Sequence, residues 1–217
     1  MEKPLKKNDT QGKLITIEGI EGVGKSTNIA FIANLIRKKG KEVVVTREPG
    51  GTPVAESIRQ VILQHYPEKM LPETEALLYY AGRFQHVKTL IQPALAQGKW
   101  VLSDRFYDAS FAYQGAGRKI SLSKLQALHD WVLGDFSPNL TIYLDAPPEV
   151  GLARIKSRGE PDRIEKEKID FFENVREAYC KIAKTFPERF HVVDATQPLE
   201  KVQKDIAKIL DNSVFFI

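Results

Sequence analysis

Residues 19–26, Gly19-Ile20-Glu21-Gly22-Val23-Gly24-Lys25-Ser26, fit the spacing G-x-x-x-x-G-K-[ST] of a phosphate-binding loop. That motif carries weight only between a strand and a helix, and the flanks supply both. Lys13–Glu18 (KLITIE) is an apolar run that reads as a buried strand. Lys25–Lys39 repeats apolar residues at three- and four-residue spacing, at Ile29, Ile32, Ala33 and Ile36, and Gly40 supplies the stop. Glycines let such a loop turn inward so that successive N–H groups face phosphate oxygens, and the helix N-terminus adds partial positive charge. Gly19, Ile20, Glu21, Gly22, Val23, Gly24, Lys25, Ser26 and Thr27 are therefore the expected ATP-binding segment. Lys25 is placed to reach the β- and γ-phosphates and Ser26 to ligate Mg²⁺.

Outward from this loop, short β-rich runs alternate with longer helical ones. Glu42–Thr46, Trp100–Ser103, Leu140–Leu144 and Phe190–Val193 read as four further strands. Thr52–Leu63 reads as a helix with Pro53 at its first position, and Pro72–Gln97 as largely helical with a bend near Pro93. Helices are also expected near Asp108–Gln114, Ser121–Leu133, Pro148–Ser157 and Lys168–Thr185, and from about Leu199 to Leu210. This alternation predicts an α/β fold with a five-stranded parallel sheet, helices on both faces, and ligands beyond the carboxyl ends of the strands. A chain of 217 residues suits one domain, placed at 12–212 after a polar tail at 1–11. A charged, Gly/Pro-punctuated stretch at about 154–166 is the expected lid.

Composition removes several function classes. The net charge of +4 comes from Lys and Arg dispersed among Asp and Glu, which fits an acidic small molecule and offers no contiguous basic face for nucleic acid. The one dense cluster, Arg37, Lys38, Lys39 and Lys41, ends a predicted helix, where cations complement the dipole. Cys180 is the single cysteine, so no intrachain disulfide forms, and it reads as packing. No apolar run approaches the length of a transmembrane helix, and Met1–Gln11 lacks an apolar core of the kind a secretory signal carries. A cytoplasmic location is the resulting expectation.

Among phosphate-loop proteins, a GTPase would carry N-K-x-D for the guanine, and none is present. The D-x-x-G at Asp9-Thr10-Gln11-Gly12 precedes the loop, the wrong order, and the chain is short for a large ring ATPase. A compact kinase for a small phosphorylated acceptor remains, and other motifs can be read in that light. Arg47, in Thr46–Thr52 (TREPGGT), stands at a strand's carboxyl end, either as a solvated turn residue or as a bidentate phosphate clamp. Ser103-Asp104-Arg105 ends the third strand; Asp104 suits Mg²⁺ or its water shell and Arg105 a phosphate, unless the two form a structural pair. Tyr79 and Arg83 are four apart on a helix, so one face can offer a ring to stack on a base and a guanidinium for a carbonyl, although aromatic residues at that spacing usually fill cores. Tyr113-Gln114-Gly115 brings an amide near the same mouth. The arginines of the expected lid either lie in solvent or offset charge on a transferring phosphoryl group.

Taken in order, IEGIEGVGKST (17–27), TREPGGT (46–52), YYAGR (79–83), SDRF (103–106), AYQG (112–115), YLDAPPEVGLARIKSRGEPDRIE (143–165) and DATQP (194–198) resemble the thymidylate kinase family, in its bacterial form. The resemblance runs from about Lys13 to Leu210 and implies a nucleoside monophosphate kinase fold and a homodimer. It also implies direct in-line transfer of a phosphoryl group from ATP to dTMP with Mg²⁺, yielding dTDP. By the same resemblance Glu21 holds the acceptor sugar near its 3′-hydroxyl, Arg47 and Arg105 hold the acceptor phosphate, and Tyr79 stacks on thymine where relatives more often have Phe. Arg83 donates to a thymine carbonyl, and Ser110 and Gln114 line the base pocket. One branch of the family carries its catalytic arginine in the phosphate loop, where this chain has Gly22; the other carries it in the lid, where Arg158 matches. Lys25, Arg105, Arg158 and Asp104 are thus the expected catalytic set, with Ser26 and Asp104 on the metal. Ala109 stands where many relatives have Ser, so one polar contact to the acceptor is expected to be missing. A kinase for another nucleotide or a deoxynucleoside, and a module using ATP only as a switch, are the competing readings.

Overall fold

The structure is a computed structural model that describes residues 11–155, 162–213 and 216. Its strands are β1 (Leu14–Glu18), β2 (Val43–Arg47), β3 (Trp100–Asp104), β4 (Leu140–Asp145) and β5 (Phe190–Asp194). All pair in parallel, in the order β2-β3-β1-β4-β5. Every residue of β1 is buried, as expected for a strand covered on both faces, whereas the edge strand β2 leaves Val45 exposed.

The chain leaves β1 for β2, returns to fill the gap with β3, then crosses to β4 on the other side. Winding reverses at β1, and such a switch point opens a crevice at the strand's carboxyl end. Register keeps that end level: Ile17 and Arg47 both pair with Asp104. The loop after β1, Arg47, and the Asp104–Arg105 step therefore share one rim.

Helix α1 (Lys25–Lys38) buries Asn28, Ile29, Ile32, Ala33 and Ile36, the stripe its spacing predicted. Helix α2 (Pro53–Leu63) starts at Thr52, whose hydroxyl accepts from the Ala55 N–H, with Pro53 in the first turn. The long helical stretch expected at 72–97 is α3 (Pro72–His86), a π-helical turn at Val87–Ile91, and α4 (Gln92–Ala96). The wide turn sits just ahead of Pro93, which has no N–H to donate and whose ring would crowd the preceding turn of a regular helix. The segment expected as a helix near 108–114 is one turn of α5 (Tyr107–Ser110) followed by π-helix at Phe111–Gly117. Helices α6 (Leu122–Val132), α7 (Pro148–Ile155), α8 (Ile169–Thr185) and α9 (Leu199–Asn212) complete the described elements. Behind the crevice, Tyr143 of β4 and Tyr179 of α8 are stacked at 4.8 Å within the main core.

Candidate active site

The phosphate loop is built by close backbone approach. Gly22 has φ +75°, and a Cβ there would lie 2.0 Å from the Gly151 carbonyl oxygen of α7. The loop thus rests directly on the helix that leads toward the expected lid. Lys25 Nζ donates to the carbonyls of Gly19 at 3.0 Å and Ile20 at 2.8 Å. Burial, and next the nearby Arg105 charge, push its ammonium down to about 8, so a phosphate anion would be a strong electrostatic complement. Ser26 and Thr27 are exposed at the start of α1.

Across the loop stands Arg105, in the left-handed region at φ +68°. Its Nη2 donates to Glu21 Oε1 at 2.7 Å, the Tyr113 hydroxyl at 2.8 Å and the Gly19 carbonyl at 3.2 Å. Tyr113 in turn donates to Glu21 Oε2 at 2.9 Å. Burial alone would raise the Glu21 carboxyl, but the Arg105 and Lys25 charges and these hydrogen bonds outweigh it and hold it below the usual carboxylate value. Arg105 Nε is buried without a partner, a donor left over for an anion. Arg47 pairs with Glu56 at 2.9 Å while remaining half exposed. Arg59 donates to the Pro49 carbonyl at 2.9 Å, and its guanidinium is pushed down by burial and then by the charges of Arg47 and Arg105. A guanidinium that feels the charges of two others at one mouth gives the electrostatics of a site that binds an anion.

Behind them lies a small cavity lined by Glu48, Tyr79, Arg83, Arg105, Phe106, Ala109, Tyr113 and Gln114. Arg83 is buried and gives Nε to Glu48 at 2.6 Å, Nη1 to Ser110 Oγ at 2.9 Å and Nη2 to the Phe106 carbonyl at 3.2 Å. A guanidinium has five N–H groups, so two remain for a ligand. Ser110 meets the cavity through Arg83 and is not among its lining residues. Tyr79 and Arg83, expected on one helical face, both line it.

At the sheet end of the site the Asp104 carboxylate makes no hydrogen bond or ion pair with another described residue. Among the described residues no three His, Cys, Asp or Glu come together as metal ligands. One hydroxyl (Ser26) and one carboxylate (Asp104) without a hydrogen-bond partner among the described residues are a donor set that suits Mg²⁺, which is held by few protein oxygens together with substrate phosphates. Arg158 lies outside the described residues.

The structure also recruits residues that sequence reading passed over. Glu48 receives Arg83 and His86, and His86 in turn is 2.7 Å from Thr46 Oγ1, so the TREPGG turn is braced from below. Only the position of Glu48 within that motif hinted at this. Glu75, at the start of α3, looks in sequence like an ordinary first-turn acid; it is buried and binds Gln114, Arg118 and Arg163. Glu18 closes β1 and accepts from the Phe106 N–H and the Tyr179 hydroxyl, both at 2.7 Å, so it anchors the backbone next to Arg105. None of these pairings has a local sequence signal, since the partners are 35 to 161 residues apart.

The family model described as Thymidylate kinase matches residues 17–206. The thymidylate kinase of Vesicomyosocius okutanii subsp. Calyptogena okutanii (strain HA) is 52% identical over 200 residues, covering 92% of this chain and 98% of that one. That of Pseudomonas fluorescens (strain Pf0-1) is 51% identical over 201 residues, covering 93% and 96%. A crystal structure of thymidylate kinase from Ehrlichia chaffeensis superposes with a TM-score of 0.75 at 32% identity, covering 92% of this chain and 99% of that one. Because the match runs from residue 17 to residue 206 and so takes in the phosphate loop, the arginine-lined mouth and the cavity behind it, the chain belongs to the thymidylate kinase family.

Proposed function

We propose that the chain phosphorylates dTMP to dTDP with ATP as donor, and that it does so by positioning two anionic nucleotides head to head. The observation that carries this reading is the pairing of an N–H-lined loop holding Lys25 with the cluster of Arg47, Arg59 and Arg105 facing it. ATP phosphates lie in Gly19–Thr27. The acceptor phosphate meets Arg47, Arg59 and Arg105, and its base enters the cavity between Tyr79, Arg83 and Gln114. A phosphate acceptor is already ionised at neutral pH, so no side chain need remove a proton. Lys25 and Arg105 then offset charge that spreads over the transferring group, and Arg158 is the proposed lid contribution. Ser26 and Asp104 would hold Mg²⁺, which neutralises the β- and γ-phosphates when bound. Glu21, fixed by Arg105 and Tyr113, is the proposed contact for the acceptor sugar.

A homodimer also belongs to this proposal. Helices α2 and α3 pack side by side and leave Val54 with Val61, and Leu77 with Phe84, exposed at seven-residue spacing. Two adjacent apolar stripes on one face suit a self-complementary interface.

The test is a panel of nucleoside and nucleotide acceptors with ATP, scored by ADP release. dTMP is expected to be the preferred acceptor, and Lys25→Ala to remove most of the turnover. Strong ATP binding with no dTDP formed from dTMP would defeat the reading.

A further inference from the structure

We infer that Glu75, which lies outside the cavity, sets the hydrogen-bonding polarity of the base pocket by fixing which way round the Gln114 amide stands. The inference rests on the proposed placement of the base against Gln114. Glu75 is 1% exposed and Gln114 is 1% exposed, so neither can turn to water. Glu75 receives Gln114 Nε2 at 2.8 Å, Arg118 Nε at 3.1 Å on both oxygens, and Arg163 Nη1 at 2.7 Å. Burial alone would raise its carboxyl, but the hydrogen bonds and charges of Arg118, Gln114 and Arg163 hold it below the usual value. An ionised carboxylate only accepts. The NH₂ of Gln114 must therefore face Glu75, and its Oε1, which has no partner among the described residues, is the atom left for the cavity it lines.

The cavity then offers an acceptor from Gln114 beside donors from Arg83. Thymine and uracil present a donor at N3 and an acceptor at O4, and they satisfy both. Cytosine presents an acceptor at N3 and a donor at N4, and it opposes both. Size does not distinguish the two orientations of an amide, whose oxygen and NH₂ are nearly alike. The choice is made one layer back, by a charge that the substrate never touches, and Glu75 is a positioning residue in that sense.

Glu75→Gln reverses the arrangement with almost no change in volume. The new amide keeps its oxygen at the Oε2 position, where Arg118 and Arg163 meet it, and turns its NH₂ toward Gln114 at the loss of the second Arg118 Nε contact. Gln114 must then answer with Oε1 and present NH₂ to the cavity. One mismatched buried hydrogen bond corresponds to roughly a tenfold change, so the ratio of kcat/KM for dTMP to that for dCMP is expected to fall about tenfold. The change should fall mainly on KM for dTMP. Loss of packing alone would lower both acceptors together and leave the ratio where it was. Should Glu75→Gln fold poorly, Glu75→Asp retains the charge for Arg118 and Arg163 but withdraws it from Gln114, and the ratio is expected to fall by a smaller factor. Gln114→Ala separates this inference from the site reading beneath it. If Gln114→Ala raises the KM for dTMP while both Glu75 variants keep the wild-type ratio, the positioning role is refuted. If Gln114→Ala leaves the KM for dTMP unchanged, the base does not lie against Gln114, and the site reading and this inference fall together.

Discussion

A single methyl group at Gly22 probes how tightly the phosphate loop is seated. Gly22 has φ +75°, a conformation that costs an L-residue about 1–2 kcal/mol. The added Cβ would also stand 2.0 Å from the Gly151 carbonyl oxygen and 2.7 Å from its carbon. Both partners are backbone, so no rotamer change relieves the contact. Loop and α7 would have to separate by about 1 Å, and overpacking that forces backbone movement costs about 1–3 kcal/mol more. For a domain of this size each kcal/mol lowers Tm by roughly 2–4 °C, so Gly22→Ala is expected to melt about 4–20 °C lower. A displacement of about 1 Å at the site that aligns the phosphates should also cost on the order of 10²-fold in kcat/KM for ATP. Gly40→Ala is the control: it has φ +74° with nothing within 4 Å of the added carbon. It carries the conformational cost alone, so its melting point should fall by a few degrees with full activity. Differential scanning fluorimetry and a coupled ADP-release assay on both variants decide the matter. If Gly22→Ala matches Gly40→Ala in both measurements, the contact with α7 has no energetic weight and the reasoning fails.

Three further outcomes are expected. Burial, and then the charge of Asp108, push the Glu18 carboxyl up to about 8 from 4.5, so the folded chain holds a proton there that the unfolded chain has released between those values. The stability contribution of Glu18 should therefore decline as pH rises through about 4.5–8, and Glu18→Gln should abolish that part of the slope; parallel Tm–pH curves for the two proteins would contradict it. Arg83→Met leaves the buried Glu48 carboxylate without its main partner and should destabilise by about 3–5 kcal/mol in urea titration. Adding Glu48→Gln should recover part of this loss, and strict additivity of the two changes would show that the pair is not coupled. If the proposed dimer forms through this face, Leu77→Glu with Phe84→Glu should lower the mass seen by light scattering to that of a monomer, and an unchanged dimer mass would place the interface elsewhere.

Local chemistry made much of this molecule legible in one dimension. The glycine-loop motif, with a strand before it and a helical stripe after it, depends on backbone sterics and periodicity, both of which act over a few residues. Hence β1, the loop and α1 stand where the sequence places them, to within a residue or so at their ends. The alternation of strands and helices likewise dictated a parallel sheet, because a parallel strand can be reached only by a crossover.

What neighbours what was decided by tertiary structure. The π-helical turn at Val87–Ile91 has Pro93 just beyond it as a local signal, whereas the one at Phe111–Gly117 has no period of its own from which it could be read. The burial of Glu18, Glu48 and Glu75 could not be read from residue type, since carboxylates belong at surfaces unless something pays their desolvation. Their partners, Tyr179, Arg83 with His86, and Arg118 with Arg163, come from other elements of the chain. By itself, therefore, the sequence determined the elements and the loop that receives a phosphate, through interactions between near neighbours. The fold alone determined which charges are buried together and which way each donor points, because those depend on distant segments meeting in a medium from which water has been removed.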